Sequence, residues 1–197
     1  MSYRIDLSGL ADLEEYFEKL PEKAEQAAFY AVQTVSERQG LKKVQQLMGQ
    51  QINFPKGYLD DRLRLSQRAT RRNPQAIITG RDRPTSLARF APGATPASSR
   101  IGGVVVEVKR GKRRRLEKAF IVNLKNGNRG LAVRVKDGEK LDNSTGAVLL
   151  GRNLYLLYGP SVDQVFRTVR DDVAPDIKTQ LALEFFRQFA RLTRNGR

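Results

Sequence analysis

The 197-residue chain contains no His, no Cys and no Trp, and only two Met. The absence of Cys excludes disulfides and thiolate metal sites. The absence of His removes the commonest general base, so any catalysis would depend on carboxylate, Lys or Tyr chemistry. Arg4 and Asp6 interrupt the first ten residues, unlike a signal peptide, and no apolar run approaches the roughly 18 residues that span a bilayer. We expect a soluble, intracellular, non-enzymatic protein with no cofactor, no metal and no membrane partner.

Positive charge is concentrated in the middle of the sequence. Residues 56–118 contain 17 Lys or Arg and 5 Asp or Glu, a net +12 out of +15 for the whole chain. Residues 1–40 contain 4 Lys or Arg against 8 Asp or Glu, a net −4. This distribution favours contact with a polyanion or an acidic partner, and a merely solvated basic surface is the open alternative.

Apolar residues recur at helical spacing near both termini. The pattern predicts a first helix over Ser8–Leu20, capped by Ser8, and a long amphipathic helix from Pro21 to about Met48 with Gly40 as its weak point. The closing segment, residues 160–195, is also helical in period. Pro175 divides it, and we expect the helix to kink or break there.

The middle of the chain is typical of strands and turns. Asn126-Gly127 between two apolar runs predicts a hairpin turn, and residues 92–99 form a loop by composition. Tyr58–Ala69 is predicted to be a short charged helix, and Val148–Leu150 is predicted to be buried. Strands are expected at Gln75–Thr79, Ser86–Ala91, Val104–Val108, Ala119–Leu124, Gly130–Val135, Val148–Leu150 and Leu154–Tyr158.

These elements predict a single α+β domain over residues 1–197. N-terminal helices occupy residues 1–50, a β region with loops occupies 75–158, and a C-terminal helical segment, broken near Pro175, occupies 160–195. We expect the helices to pack on a mostly antiparallel sheet that carries a long basic hairpin or arm.

The candidate functional residues are cations. No phosphate-binding glycine loop, zinc-finger spacing or RNA-recognition signature is present, and the paired carboxylates lie in charged, helix-like surroundings typical of solvated faces. Tyr58 and Phe90 are the only aromatic residues of the basic middle, which leaves phosphate contact without sequence readout. The candidates for contact with a partner or DNA are Arg68, Arg71, Arg72, Lys109, Arg110, Lys112, Arg113, Arg114 and Arg115.

Three stretches carry a family resemblance. Arg62–Ala76 contains Arg-Ala-Thr and Asn-Pro-Gln-Ala, and Lys109–Gly127 ends in Ala-Phe-Ile-Val-Asn-Leu-Lys-Asn-Gly and is followed by Val-Arg-Val at 133–135. The third stretch is the closing helix, residues 160–192. In this order they resemble the minor tail protein Z family, the tail-completion proteins of long-tailed bacteriophages. The acidic opening helix and the insert at 137–145 depart from the family pattern.

The resemblance implies a virion structural protein at the head-proximal neck of the tail, present in the host cytoplasm during assembly. It implies a ring of copies, sixfold like the tail, that acts in tail completion and head–tail joining. The implied partners are the tail terminator, the tail tube, the head–tail connector proteins and the phage genome DNA, contacted without sequence specificity. A nonspecific DNA-binding protein that uses the basic middle is the alternative, and an unrecognised enzyme or toxin-like factor is the remaining one.

Overall fold

The structure, a computed structural model, describes residues 2–5, 22–94, 102–141 and 146–194 and confirms the α+β class. The helical elements are α1 (Glu22–Val35), a π-helix (Ser36–Gly40), α2 (Leu41–Gln51), a 3-10 helix (Leu87–Phe90) and α3 (Val162–Arg194). The strands are β1 (Ser2–Ile5), β2 (Leu63–Gln67), β3 (Ala76–Gly80), β4 (Pro84–Ser86), β5 (Val104–Val106), β6 (Arg114–Leu116), β7 (Ala119–Asn123), β8 (Arg129–Arg134), β9 (Ala147–Gly151) and β10 (Leu154–Ser161).

The chain forms two compact units, each assembled from separated stretches of sequence. The first comprises residues 1–48, 60–81 and 166–197, and the second comprises 49–59 and 82–165. Because the chain passes from one unit to the other several times, no single sequence boundary marks the division. The expectation of one folding domain stays a prediction.

Within the described ranges the strands form three antiparallel sheets, whereas we predicted one. The first has the order β1-β3-β2, and the third is the β5-β6 pair. The second has the order β4-β10-β8-β7, with β9 paired to β10. Three of the described strands, β4, β5 and β6, have only three residues each, which limits the second and third sheets.

The predicted long helix is confirmed from Glu22. Its geometry changes from α to π just before Gly40, the residue that we predicted to be its weak point. A five-residue π-helix ends at Gly40 and joins α1 to α2. From Ser36 onward the buried positions, Ser36, Gly40, Val44 and Met48, are four residues apart. Positions four apart drift around a helix of 3.6 residues per turn, and the wider π turn offsets part of that drift. The first predicted helix, Ser8–Leu20, lies outside the described residues, as does Pro21.

The prediction of a helix over Tyr58–Ala69 is wrong. Tyr58–Arg62 forms turns, and Leu63–Gln67 is strand β2, paired with β3. Leu63 is buried and Arg64 is exposed, which is the period of two that a half-buried strand requires. The leucines at 59 and 63 also fit a helical period, so the sequence pattern alone was ambiguous.

Two further strand predictions need correction. Ser86–Ala91 is not a strand: only Pro84–Ser86 pairs with β10, and a 3-10 helix follows at Leu87–Phe90. Val148–Leu150 lies in strand β9 as expected but is exposed, not buried, with exposed fractions of 55%, 60% and 52%. A register shift against β10 falls at Leu150 and interrupts the regular alternation of side chains. The strands predicted at 75–79 and 104–108 are found at Ala76–Gly80 and Val104–Val106.

The hairpin predicted from Asn126-Gly127 is confirmed. Strands β7 and β8 pair from Ala119↔Val133 to Asn123↔Arg129. Gly127 has φ 77°, and the Asn126 side chain accepts a hydrogen bond from the backbone N–H of Asn128 at 3.1 Å. The core of the second unit is a cluster beneath these strands: Ala88, Ala91, Ala94, Val104, Val106, Ala119, Ile121 and Leu131.

The break predicted at Pro175 is wrong, because α3 runs unbroken from Val162 to Arg194. Pro175 is exposed, as are Asp171 and Asp172 one turn earlier, so solvent can hydrate the carbonyl that loses its intrahelical donor. The buried stripe continues through the proline: Val165, Phe166, Val169, Val173, Ile177, Leu181 and Phe185. No helix within the described ranges is both long and apolar enough to cross a membrane.

A capping box begins α3. The Ser161 hydroxyl accepts a hydrogen bond from the Gln164 N–H at 3.0 Å, and the Gln164 side chain accepts one from the Ser161 N–H at 2.9 Å. The Ser-x-x-Gln pattern is a sequence signal for this start, although our sequence interpretation did not use it.

Candidate functional site

The basic run Lys109–Arg115 forms the tip and the returning strand of the β5–β6 hairpin. The strands pair antiparallel from Val104↔Leu116 to Val106↔Arg114. Val104 and Val106 are buried, which anchors the hairpin to the core of the second unit. All seven residues of the run are exposed, so water can screen the repulsion between their like charges.

A single carboxylate organises the tip. Glu107 accepts a hydrogen bond from the Gly111 N–H at 2.9 Å and another from Arg113 Nε at 3.0 Å. The Gly111 hydrogen bond, followed by the Arg113 guanidinium, lowers the pKa of Glu107 below its ordinary value. Gly111 has φ 77°, a conformation that glycine adopts without strain, and the chain therefore turns back toward Glu107 at this residue.

The tip is also tied to the preceding segment of the second unit. Asn53 N–H donates to the Val108 carbonyl at 2.8 Å, and Ile52 forms a β-bridge with Lys109. Arg110 donates from its backbone N–H to the Gln51 carbonyl at 3.2 Å and from Nε to the Gly49 carbonyl at 2.9 Å. The hairpin backbone is thus held on two sides.

The six cations of the run therefore divide by what they already bind. Arg110 and Arg113 donate to Gly49 and Glu107, and Arg115 NH1 lies 3.5 Å from the Gly102 carbonyl. Lys109, Lys112 and Arg114 make no ion pair within the described part of the chain. We call Lys109, Lys112 and Arg114 the free cations of the tip, because a partner can bind them without displacing an ion pair to a described residue.

The other predicted cations, Arg68, Arg71 and Arg72, lie in the first unit. Arg68 forms an ion pair with Glu37 at 3.1 Å. Arg71 hydrogen-bonds Tyr30, and this bond, ahead of one from Gln26, lowers the pKa of the Tyr30 hydroxyl. Arg72 is exposed in the turn where Thr70 and Asn73 hydrogen-bond each other. Two of the three arginines thus have structural partners.

The sequence interpretation missed a basic face on α3. Arg187, Arg191 and Arg194, at intervals of four and three residues, line a surface concavity of about 430 Å³ in the first unit. The Arg191 guanidinium lies 5.7 Å from the centre of the Tyr30 ring, and Arg187 pairs with Glu184 at 3.3 Å. Their helical spacing was the signal that could have revealed this face.

Carboxylates do not gather in the same way. Among the described residues, no three Asp or Glu side chains lie close enough together to hold a metal ion.

A scan of the sequence against protein-family models finds no match, and neither do searches of curated proteins and of solved structures.

Proposed function

We propose that this chain is a virion structural protein that completes the head-proximal end of a phage tail and acts in head–tail joining. The resemblance of residues 62–76, 109–127 and 160–192 to tail-completion proteins motivates this proposal. Assembly proteins work through preformed surfaces, and such a surface must keep its shape without the partner.

The observation that carries the proposal is the cationic hairpin and the hydrogen bonds that hold it. Its backbone is bound by Glu107, Gln51 and Asn53, and its Arg110 side chain is bound by the Gly49 carbonyl. Three of its cations form no ion pair with described residues. Charges presented in this way contact phosphates without reading bases. DNA that passes through a neck requires contact of this kind, because a sequence-specific grip would stall it.

Deletion of the gene from a phage that encodes it tests this function. We expect the deletion to leave filled heads and tails that join to each other poorly, or joined particles that infect poorly. Infectivity should recover when the protein is supplied in trans. A density map of complemented particles should place the chain at the junction of head and tail. Fully infectious deletion particles, or density for the chain far from that junction, would contradict the proposal.

A nonspecific DNA-binding protein is the second candidate function, favoured by the same free cations. Each lost phosphate contact reduces the slope of log K against log salt by about 0.9. The variant K109A/K112A/R114A should therefore flatten the slope by between about two and three units if all three cations contact phosphate.

A matched variant separates free cations from engaged ones. R110A/R113A also removes charge from the tip, but these two arginines already donate to Gly49 and Glu107. We expect a smaller change in the salt slope from this pair than from any two of the free cations. Equal salt slopes for wild type and the triple variant would show that these cations do not contact DNA phosphates, whatever the affinity of the protein for DNA.

A further inference from the structure

Arginines from α3 and from the loop after β2 meet on one tyrosine of α1. Arg71 donates a hydrogen bond to the Tyr30 hydroxyl, and the Arg191 guanidinium lies 5.7 Å from the centre of the Tyr30 ring. The hydrogen bond from Arg71 lowers the pKa of Tyr30 most, and the charge of Arg191 lowers it as well, so both guanidinium groups lie near the same hydroxyl. The first unit therefore brings together two cations that are far apart in the sequence.

Arg187 and Arg194 extend this cluster along α3. Together with Arg191 they line the surface concavity of about 430 Å³. Seven residues of α-helix rise about 10 Å, so the helix presents three guanidinium groups over that length. We call Tyr30, Arg71, Arg187, Arg191 and Arg194 the arginine surface.

The arginine surface keeps most of its positive charge. Arg71 and Arg191 contact an aromatic side chain, which cancels neither charge. Arg187 pairs with Glu184, whereas Arg194 forms no ion pair with a residue that the structure describes. The other charges of α1, the π-helix and the loop after β2 are four cations and three carboxylates: Lys23, Arg38, Arg68, Arg72, Glu22, Glu25 and Glu37. These neighbouring charges do not reverse the sign of the surface.

The position of the charge favours nucleic acid over protein as the partner. Protein–protein interfaces are depleted of charged residues at their core, whereas protein–DNA interfaces are strongly positive. Arginines line the concavity itself, and the exposed apolar residues of α3, Leu183 and Phe186, do not.

The spacing of the arginines also fits a DNA strand. One strand carries a phosphate about every 3.4 Å along the helix axis, so about three phosphates lie within 10 Å. The row of Arg187, Arg191 and Arg194 offers the same number of cations over the same length. Guanidinium groups bind phosphate oxygens through paired hydrogen bonds, and tyrosine hydroxyls donate to the same oxygens.

We propose that the arginine surface binds the phosphate backbone of double-stranded DNA, in addition to any contact made by the free cations of the tip. The two surfaces belong to different units, and each contacts phosphates without reading bases. The choice of ligand follows from charge and spacing, and it rests on the proposed function only where the DNA is identified as a phage genome.

The salt dependence of DNA binding tests this surface. Fluorescence anisotropy measures the binding of a labelled duplex of random sequence to the full-length protein between about 50 and 200 mM salt. We expect R187A/R191A/R194A to flatten the slope of log K against log salt by between about two and three units, at about 0.9 for each lost phosphate contact. Combination with K109A/K112A/R114A should add the two losses, because separate surfaces contact separate phosphates.

A matched variant removes the same charge from elsewhere in the first unit. K42A/R64A/K178A deletes three exposed cations that lie outside the arginine surface and form no ion pair with a described residue. We expect its slope to change by less than about one unit. Equal slopes for R187A/R191A/R194A and this control, or a wild type that does not bind the duplex, would overturn the proposal.

Binding to poly-glutamate tests an acidic protein as the other class of partner. If R187A/R191A/R194A loses affinity for poly-glutamate while its DNA slope stays at the wild-type value, the proposal is overturned and the surface belongs to an acidic protein.

Chemical protection of the natural chain needs no variant. Phenylglyoxal modifies exposed arginines, and mass spectrometry of the full-length chain locates each modified residue. Saturating duplex should slow the modification of Arg191 and Arg194 several-fold and leave that of Arg64 unchanged. Absence of protection at Arg191 and Arg194 would overturn the proposal even if the triple variant does not fold.

Failure of this proposal is distinguishable from failure of the tail function. Unchanged salt slopes together with defective deletion particles reject the DNA surface and leave the tail function in place. A flattened slope together with fully infectious deletion particles retains the DNA surface and rejects the tail function.

Discussion

Two hairpins of the second unit, β5–β6 and β9–β10, show that exposure and availability are different properties. The β5–β6 hairpin is covered with cations, yet Arg110 and Arg113 already bind Gly49 and Glu107. The β9–β10 hairpin exposes Val148, Leu149 and Leu150. A surface charge can serve the fold that displays it, whereas an exposed apolar side chain gains nothing from water. Exposure of a cation is therefore weaker evidence of a vacant binding surface than exposure of an apolar side chain.

The largest expected effect contrasts a buried leucine with an exposed one. Leu131→Ala in β8, at 0% exposure, should lower the free energy of unfolding by about 2–5 kcal/mol, because it leaves a cavity in the core. Leu149→Ala should change it by about 0.5 kcal/mol or less. Urea unfolding measures both, and a large loss from Leu149→Ala would show that this exposed side chain stabilises the core of the unit.

The next contrast concerns two glycines of the basic hairpin. A Cβ on Gly103, at φ 95°, would lie 2.2 Å from the Leu116 carbonyl oxygen, whereas a Cβ on Gly111, at φ 77°, would meet nothing within 4 Å. Gly103→Ala should therefore lower the unfolding free energy by about 2–4 kcal/mol through backbone displacement and strain. Gly111→Ala should cost about 1–2 kcal/mol through conformation alone. Equal losses in urea unfolding would mean that β5 and β6 can separate freely at Gly103.

The smallest effect concerns pH and the organising carboxylate. The pKa of Glu107 is lowered in the folded state, so the stability that its charge contributes is complete above its ordinary pKa and is lost as pH falls through the lower folded value. The urea midpoint of wild type should exceed that of Glu107→Gln near neutral pH and converge with it in acid.

Glu117→Gln removes the same charge from an exposed position after β6 and leaves both Glu107 hydrogen bonds in place. It controls for the general effect of net charge on stability. A difference between wild type and Glu107→Gln that is constant from about pH 7 to about pH 3 would show that the carboxylate contributes no charge-dependent stability.

The sequence was most informative where local chemistry decides the structure. Asn126-Gly127 located a hairpin because the turn itself requires a left-handed backbone, and apolar residues at helical spacing located α1 and α2 through their period. Predictions failed where distant contacts decide. Leu63 fits a helix or a strand, and pairing with β3 selects the strand. Pro175 breaks a helix unless its surroundings hydrate the freed carbonyl and buried neighbours hold both halves.

The candidate site was half predictable for a similar reason. The exposure of the basic run follows from repulsion between near neighbours, which the sequence displays. The division of the run into engaged and free cations could not be predicted. Arg110 binds the carbonyl of Gly49, which is 61 positions away in the sequence, and the turn at Gly111 brings the chain back to Glu107. The apolar run at 148–150 was expected inside, because composition favours burial and only the sheet topology reveals an edge.

The π-helix at Ser36–Gly40 keeps the two halves of the N-terminal helix in phase. A π turn closes over five residues where an α turn needs four, so the segment holds one residue more than a uniform α-helix would contain. Because the wide turn absorbs this surplus residue, removal of Gln39 should restore unbroken α geometry and leave the direction of the α2 side chains nearly unchanged. Val44 and Met48 would still face the interior that they now fill. An α-helix that kept every residue would instead rotate α2 by about 100° and turn both side chains away from that interior.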